Sequence, residues 1–464
     1  MTRTIRQISA ENKWCNQSSP SLFQNQLPDE LIAEVLTEDQ AWEQRVRKLN
    51  RSTVIWVSIL LTLASRTSVT NFLTHYFEPL EQFDESDETT RWTEGALRYR
   101  LAQLPVKVFQ RLFTRMHRVE GSEQTPGVFW RGHRLMAIDS TLEDVTTSPD
   151  NTRHFGRVTS GRSQSPFPQL RGTYLMECGT HQIYDATLSP CRESEVTMSY
   201  RLIRSIQAAM LVLLDRGFCA SRLYHLITER GANVLALIKS HVLKSPEVWL
   251  PDGSYLATLS KGRNCRGRSV RVRVITYRIE REGDPKSVRT YRLATTLLDP
   301  VTAPAQELVE LYHERWQIET GILELDRQVS ILHAPLRGKT PISVLQEMYS
   351  ALMAYNLVRG QMLAAATQPD LPMESPLDYS FTQSLAQVQA AVRSDMSVDP
   401  IQAPAVQARL RLRLRNTRLP CRSHPRMYPR VIKRLYSKFP PKRAKHAVLH
   451  QGAIHFSLLL SLST

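Results

Sequence analysis

The chain has no Cys-x-x-Cys pair; its six cysteines (Cys15, Cys178, Cys191, Cys219, Cys265 and Cys421) are scattered over 464 residues. That spacing argues against a zinc ribbon and a disulfide framework and suits a reducing compartment, so a cytoplasmic, nucleoid-associated location is expected. No apolar run is long enough to span a bilayer; the longest, Val54 to Ala64, suits a buried helix. The opening residues, Met1 to Arg6, lack the apolar centre of a signal peptide. No segment repeats. Acidic residues are in short supply: 44 Asp and Glu stand against 60 Lys and Arg, a formal charge of +16 with a pI near 9.7. The surplus favours a polyanionic partner, nucleic acid first. Hydrophobic content of 42% and charged content of 22% are those of a globular protein. The length allows about two to four domains with a sizeable core.

Five segments follow from the pattern along the chain. Residues 1–127 read as helical, with a 3.6-residue period in Asp29–Leu36 and Trp42–Leu49, an apolar helix from Ser52, and two amphipathic helices broken at Pro105. Such helices suit either a helix-turn-helix DNA reader or a plain bundle. The acidic stretch Glu81–Glu88 reads as a solvated loop. In residues 128–230, Arg134–Asp139 reads as a buried strand ending in a carboxylate, and Ser140–Arg171 as a long polar loop. Arg153, Arg157 and Arg162 in that loop are candidates to order over DNA. Strands at Gly172–Cys178 and Gln182–Leu188, a helix at Glu195–Gln207 and a strand at Ala209–Asp215 follow. Residues 231–300 switch to period two, with turns at Asp252-Gly253 and Gly283–Pro285. Arg271, Arg273, Arg289 and Arg292 are expected to form a basic face there. Residues 301–366 read as two long helices. Residues 367–464 read as helical and basic, with no acidic residue from Arg409 to His446, a composition that asks for a polyanion.

The first helix of residues 301–366 carries the densest chemistry. Read as one helix from Thr302 towards Ser330, it buries Ile318, Ile322, Leu325 and Val329 and gathers Tyr312, Arg315 and Glu319 on another face. A carboxylate flanked by a cation and a phenol suits a metal ion beside a phosphate. An ordinary salt-bridged surface helix would look the same. Trp249 could stack on a base or lie in the core. His133, His154 and His313 are expected as structural residues or phosphate neighbours, not metal ligands.

Three blocks taken together, Asp139-Ser-Thr141, Asp215-Arg-Gly-Phe218 and Tyr312-x-x-Arg315-Trp-x-Ile-Glu319, resemble the active-site blocks of bacterial DDE transposases of the insertion sequence four family. The resemblance spans about residues 128–365. It implies an α/β fold: a ribonuclease-H-like core, a mixed sheet flanked by helices and interrupted by a β-rich insertion, with a helical DNA-binding domain before it and a basic helical region after it. It implies cut-and-paste transposition by phosphodiester hydrolysis and strand transfer at terminal inverted repeats. Asp139, Asp215 and Glu319 would be the catalytic carboxylates and would hold two Mg2+ ions, with Mn2+ able to substitute. Tyr312 and Arg315 would bind phosphate and Trp249 a base, on double-stranded DNA held by a homodimer on paired ends. The family carries a lysine seven residues after the glutamate, where this chain has Asp326. Arg327 would replace that lysine only in part, and an acid facing a phosphate would weaken DNA contact. A catalytically impaired inhibitor of transposition, or a nuclease on the same fold, are the competing readings. Glu143, Asp144, Glu314 and Glu324 are poorer candidates, the first two because they are expected in the polar loop.

Overall fold

The structure is a computed structural model, and it describes residues 20–41, 49–64, 68–74, 93–118, 120–160, 163–238, 245–259, 269–281, 284–313, 315–329, 335–396, 402–419 and 454–458. Most of the expected helix at 42–49, the acidic stretch 81–88, Arg162, the side chain of Arg327 and the cations from Arg422 to Arg443 lie outside the described residues. In chain order the helices are α1 (Asp29–Glu38), α2 (Arg51–Leu63), α3 (Glu94–Ala102), α4 (Val106–Arg115), α5 (Pro149–Phe155), α6 (Glu195–Leu202), α7 (Ser221–Glu229), α8 (Ala305–His313), α9 (Trp316–Val329), α10 (Pro341–Ala366), α11 (Phe381–Met396) and α12 (Ala403–Arg415). The strands are β1 (Phe129–Trp130), β2 (His133–Asp144), β3 (Thr159–Ser160), β4 (Ser163–Gln164), β5 (Gln169–Glu177), β6 (Ile183–Pro190), β7 (Met210–Leu214), β8 (Asn233–Leu237), β9 (Val248–Trp249), β10 (Tyr255–Leu259), β11 (Val270–Arg281), β12 (Asp284–Thr295) and β13 (Ile454–Leu458). The fold is mixed α/β. Among the described residues no helix is long and apolar enough to cross a membrane.

The chain divides into two compact units, Met1–Ile206 with Trp316–Arg418, and Gln207–Arg315 with Leu419–Thr464. These bounds differ from the five segments read from the sequence.

The first unit is built on α10. Thr340 caps this helix reciprocally with Ser343, and Pro341 sits in its first turn. It has no polar face because it is buried all round, from Met348 to Leu363. Side chains such as Leu352, Val358 and Leu363 each stabilise by about 1.5–3 kcal/mol on burial. Two of the polar side chains inside are paired. Asn356 bonds both backbone groups of Ile183 on β6 and accepts from Gln26 through its carbonyl, while Gln346 donates to Leu101 and Leu104. The N-terminal helices therefore pack onto α10 within this unit. The outer cations of α4, Lys107, Arg111 and Arg115, pair with Asp39, Glu38 and Glu34 at the end of α1. The exposed pairs among them, Arg111–Glu38 and Arg115–Glu34, are each worth about 0–1 kcal/mol. The sheet of this unit runs β1-β2-β5-β6, all antiparallel, with Asp139 opposite Tyr174.

In the second unit β7 and β8 are parallel, and β8-β12-β11-β10-β9 continue antiparallel. Along one edge of β11, β10 pairs with Val270–Val274 and β13 with Tyr277–Arg281. The far C-terminal strand thus fills the stretch of edge that β10 leaves open, where a helical region was expected. Both α7 and α8 pack on β8 and β11.

Four expectations are corrected. Strand β2 does not end at Asp139 but runs to Asp144, because β5 begins at Gln169 and supplies ladder partners that far. The supposed polar loop 140–171 therefore holds the end of β2, α5, the β3–β4 hairpin and the start of β5. The single helix over 302–330 is two helices, with Arg315 in a tight turn whose N–H donates to Tyr312 O at 3.1 Å. Arg273 is not on a basic face: it is buried, and its guanidinium is ion-paired with Asp252 and bonded to Ser254 Oγ and the Ala303 carbonyl.

Candidate active site

In the second unit, Asp215 follows the fully buried pentapeptide of β7. Its half-buried carboxylate caps the turn Arg216–Phe218, one oxygen accepting from Gly217 N–H. The residue just before it is held from α8: Tyr312 OH donates to the Leu214 carbonyl at 3.1 Å. The phenol expected to reach a phosphate thus donates to the backbone that carries Asp215. Burial pushes this phenol up to about 12, with Arg315 pulling it down and Asp215 pushing it further up. Arg315, half-buried, stands 5.9 Å from the centre of the Tyr312 ring. Asp215, Tyr312 and Arg315 are therefore gathered in one unit.

Asp139 and Glu319 belong to the first unit. Asp139 lies within β2, and one oxygen accepts from Ser140 N–H at 2.8 Å. Glu319 sits half-buried in the first turn of α9, which packs on β2. A second carboxyl pair sets the register between strand and helix. Glu143, buried on the same face of β2 as Asp139, is hydrogen-bonded to Asp326. Glu143 lies four residues after Asp139, about 13 Å along a strand. Asp326 lies seven residues after Glu319, about 10.5 Å along a helix and on the same face. The two separations differ by about 3 Å.

Asp326 therefore meets a carboxyl group of its own chain, not a phosphate. Glu143 is in the sheet, not in a mobile loop as expected. Burial, with Asp326 beside it, holds the Glu143 carboxyl well above its ordinary range. A carboxyl raised by folding adds stability that is complete below its unfolded pKa and is lost as pH rises through the folded one. Wild-type protein should therefore lose stability as pH rises from the ordinary carboxylate range towards the raised value of folded Glu143. Glu143→Gln keeps the shape and a donor but cannot ionise. It should raise the melting temperature at pH 8 by about 2–4 °C and flatten its fall with pH. Melting curves across pH check this; parallel curves for variant and wild type would show that Glu143 is not the responsible group.

Trp249, on the short strand β9, is 53% exposed with its ring 4.9 Å from Tyr255, so it is a surface residue and not part of the core. Sequence reasoning missed a buried cluster behind α9, formed by His181, Glu324, Tyr355 and Arg359. One signal for it was present: Arg359 is the one charged residue of α10 after Glu347.

Hard carboxylate oxygens suit Mg2+, so by donor type Asp139, Asp215 and Glu319 fit the divalent ions the resemblance implies. Among the described residues no group of three or more His, Cys, Asp or Glu side chains stands close enough to hold an ion. The fit rests on donor type.

Two family models match the chain, a transposase DDE domain over residues 130–357 and an insertion element 4 transposase N-terminal domain over residues 17–114. The chain is 26% identical over 436 residues to the transposase InsG for insertion sequence element IS4 of Escherichia coli (strain K12), covering 90% of this chain and 93% of that protein. It is 25% identical over 216 residues to the putative transposase InsZ of the same strain, covering 46% of this chain and 70% of that one. The cryo-EM structure of the piggyBac transposase synaptic complex with hairpin DNA overlaps 89% of this chain and 86% of its own, at 11% identity and a TM-score of 0.43, too slight a likeness to argue from. With the DDE match enclosing all three sequence blocks and the N-terminal match preceding it, the chain belongs to the DDE transposases of the insertion element 4 family, enzymes that cleave DNA.

Proposed function

We propose that Asp139, Asp215 and Glu319 are the catalytic carboxylates of a cut-and-paste transposase acting on the terminal inverted repeats of its own element. The observation that supports this reading is the packing of α9, whose first turn carries Glu319, against β2, which carries Asp139. Asp215 joins them by family membership and by its place directly after a buried strand. These three carboxylates would hold two Mg2+ ions, which when bound would activate the attacking water or 3′-hydroxyl and stabilise the leaving oxygen. The core is ribonuclease-H-like and residues 231–300 are its β-rich insertion. The helical residues 1–127 bind the element end, and the basic C-terminal region binds phosphates.

The chain's own groups divide the remaining work. Asp215 has one oxygen fixed by Gly217 N–H, which orients the other. Tyr312 steadies that loop through Leu214 O, and Arg315 beside it neutralises a phosphate by charge-assisted hydrogen bonds. Arg327, next to Asp326, supplies a second phosphate contact. The protein works in the cytoplasm, on nucleoid DNA, and a homodimer brings two ends together.

Incubating a plasmid that carries the element's two ends with purified protein and Mg2+ tests the reading. Excision and joining are expected. Binding without cutting would favour the impaired inhibitor, and cutting without end preference the nuclease. Trp249→Ala should leave the melting temperature unchanged, because the side chain is exposed. A lost base stack is worth about 1–3 kcal/mol, so the variant should bind end DNA about tenfold more weakly. Fluorescence anisotropy reads this; unchanged affinity removes Trp249 from the interface.

A further inference from the structure

Behind α9 lies a charge cluster that the reaction itself does not use. Glu324 is five residues after Glu319, about 140° round the helix, and therefore faces inward. Its carboxylate is ion-paired with Arg359 of α10, whose side chain is only 1% exposed. Arg359 Nη2 also stands 2.9 Å from His181 Nδ1, and Nε donates to Tyr355 OH at 3.2 Å. Tyr355 OH in turn lies 3.3 Å from the Gly321 carbonyl, on the backbone of α9 itself. The guanidinium lies 5.7 and 5.1 Å from the ring centres of Tyr355 and Phe381, which also contact each other at 5.2 Å. On the same inward side, a Cβ on Gly321 would come within 2.7 Å of Met176 Sδ and 3.2 Å of His181 Cγ. Two separate features thus fix α9: backbone contact at Gly321 sets its depth, and the Glu324–Arg359 pair sets its rotation.

The electrostatics keep that arrangement constant. Arg359 and His181 hold the Glu324 carboxylate down at about 2 against its burial. Burial, then Arg359, hold the His181 imidazole below its usual range, so it is neutral in neutral solution. A paired carboxylate, a neutral imidazole and a guanidinium make a lock without a titration point in the working range.

We infer that Glu324 and Arg359 are positioning residues for Glu319: their buried ion pair sets the rotation of α9 and so the place of the Glu319 carboxylate. This rests on Glu319 being a metal ligand. Outer groups that orient metal ligands change metal affinity by about 10–100-fold when lost. A buried ion pair, by contrast, can often be replaced by apolar residues without loss of stability. The two effects can therefore be separated.

The test uses full-length wild type, Glu324→Met/Arg359→Met, Arg359→Lys and Glu319→Ala. Four quantities are read: melting temperature, metal-free affinity for end DNA, Mn2+ affinity from the free-ion electron paramagnetic resonance signal, and the Mg2+ concentration giving half-maximal cleavage. The double Met variant should melt near wild type and bind DNA as wild type does. Its Mn2+ affinity should fall about tenfold, and its half-saturating Mg2+ should rise by the same factor. Unchanged Mn2+ affinity in the folded double variant overturns the proposal. If that variant fails to fold, Arg359→Lys decides: weaker Mn2+ binding at an unchanged melting temperature supports positioning, and any other pattern rejects it. Glu319→Ala separates the premise from the proposal. If it binds Mn2+ as wild type does, Glu319 is not a ligand and the positioning role goes with it. If it loses Mn2+ while the other variants keep it, only the positioning role is lost.

Discussion

Asp215→Ala should stop cleavage of end-containing DNA, lowering its rate by about three orders of magnitude or more, while DNA binding stays within about twofold. The expected size follows from charge. Two divalent ions beside a phosphodiester need carboxylates to balance them, and removing one of three leaves the site short of both a charge and a ligand. The cost to the fold is small. Asp215 is half-buried and accepts a capping hydrogen bond from Gly217 N–H; losing such a cap costs about 1 kcal/mol. Nicking of supercoiled plasmid measures the rate and anisotropy the binding. Cleavage within tenfold of wild type would mean that the chemistry lies elsewhere in the chain. Loss of binding in step with loss of cutting would mean that Asp215 serves the fold.

Asp252→Ala should destabilise the second unit by about 3 kcal/mol. Arg273 is 0% exposed and has fixed partners: Asp252, Ser254 Oγ at 2.8 Å and Ala303 O at 2.5 Å. Of these only Asp252 carries a charge. Removing one partner of a buried ion pair costs about 3–5 kcal/mol, because the other charge is left in low dielectric. The lower end applies because Asp252 is a quarter exposed and water can replace part of it. The melting temperature should fall by about 6–12 °C. Arg273→Met should cost less, since the carboxylate left behind can be hydrated. If the arginine variant proves the more damaging, packing of its stem, and not the buried charge, holds this corner together.

Much of the site was legible in the sequence because its signals are local. A run such as Leu211–Leu214 followed by Asp215 announces a buried strand delivering a carboxylate, and the structure places that residue directly after β7. The helical start of the chain and the long helix α10 were legible for the same reason: period and cap residues sit within one turn of each other. Strand length was not. Whether β2 stops at Asp139 or runs to Asp144 depends on β5, which begins 25 residues after β2 ends, and no pattern within β2 records it.

By itself the sequence determined the charge balance, the three acidic blocks in order and the alternation that makes residues 231–300 strands. Only the tertiary structure decided that the helix expected to run through Tyr312 and Glu319 is two helices, since Leu311, Arg315, Ile318, Ile322 and Leu325 keep one unbroken period across the join. It also decided that Asp326 turns to Glu143, and that of two arginines two residues apart on β11, Arg271 is exposed and Arg273 buried. The reason is physical. Periodicity is set by neighbours a turn away, whereas burial of a charge is decided by the partner that can neutralise it, and Asp252 stands 21 residues from Arg273 in the chain.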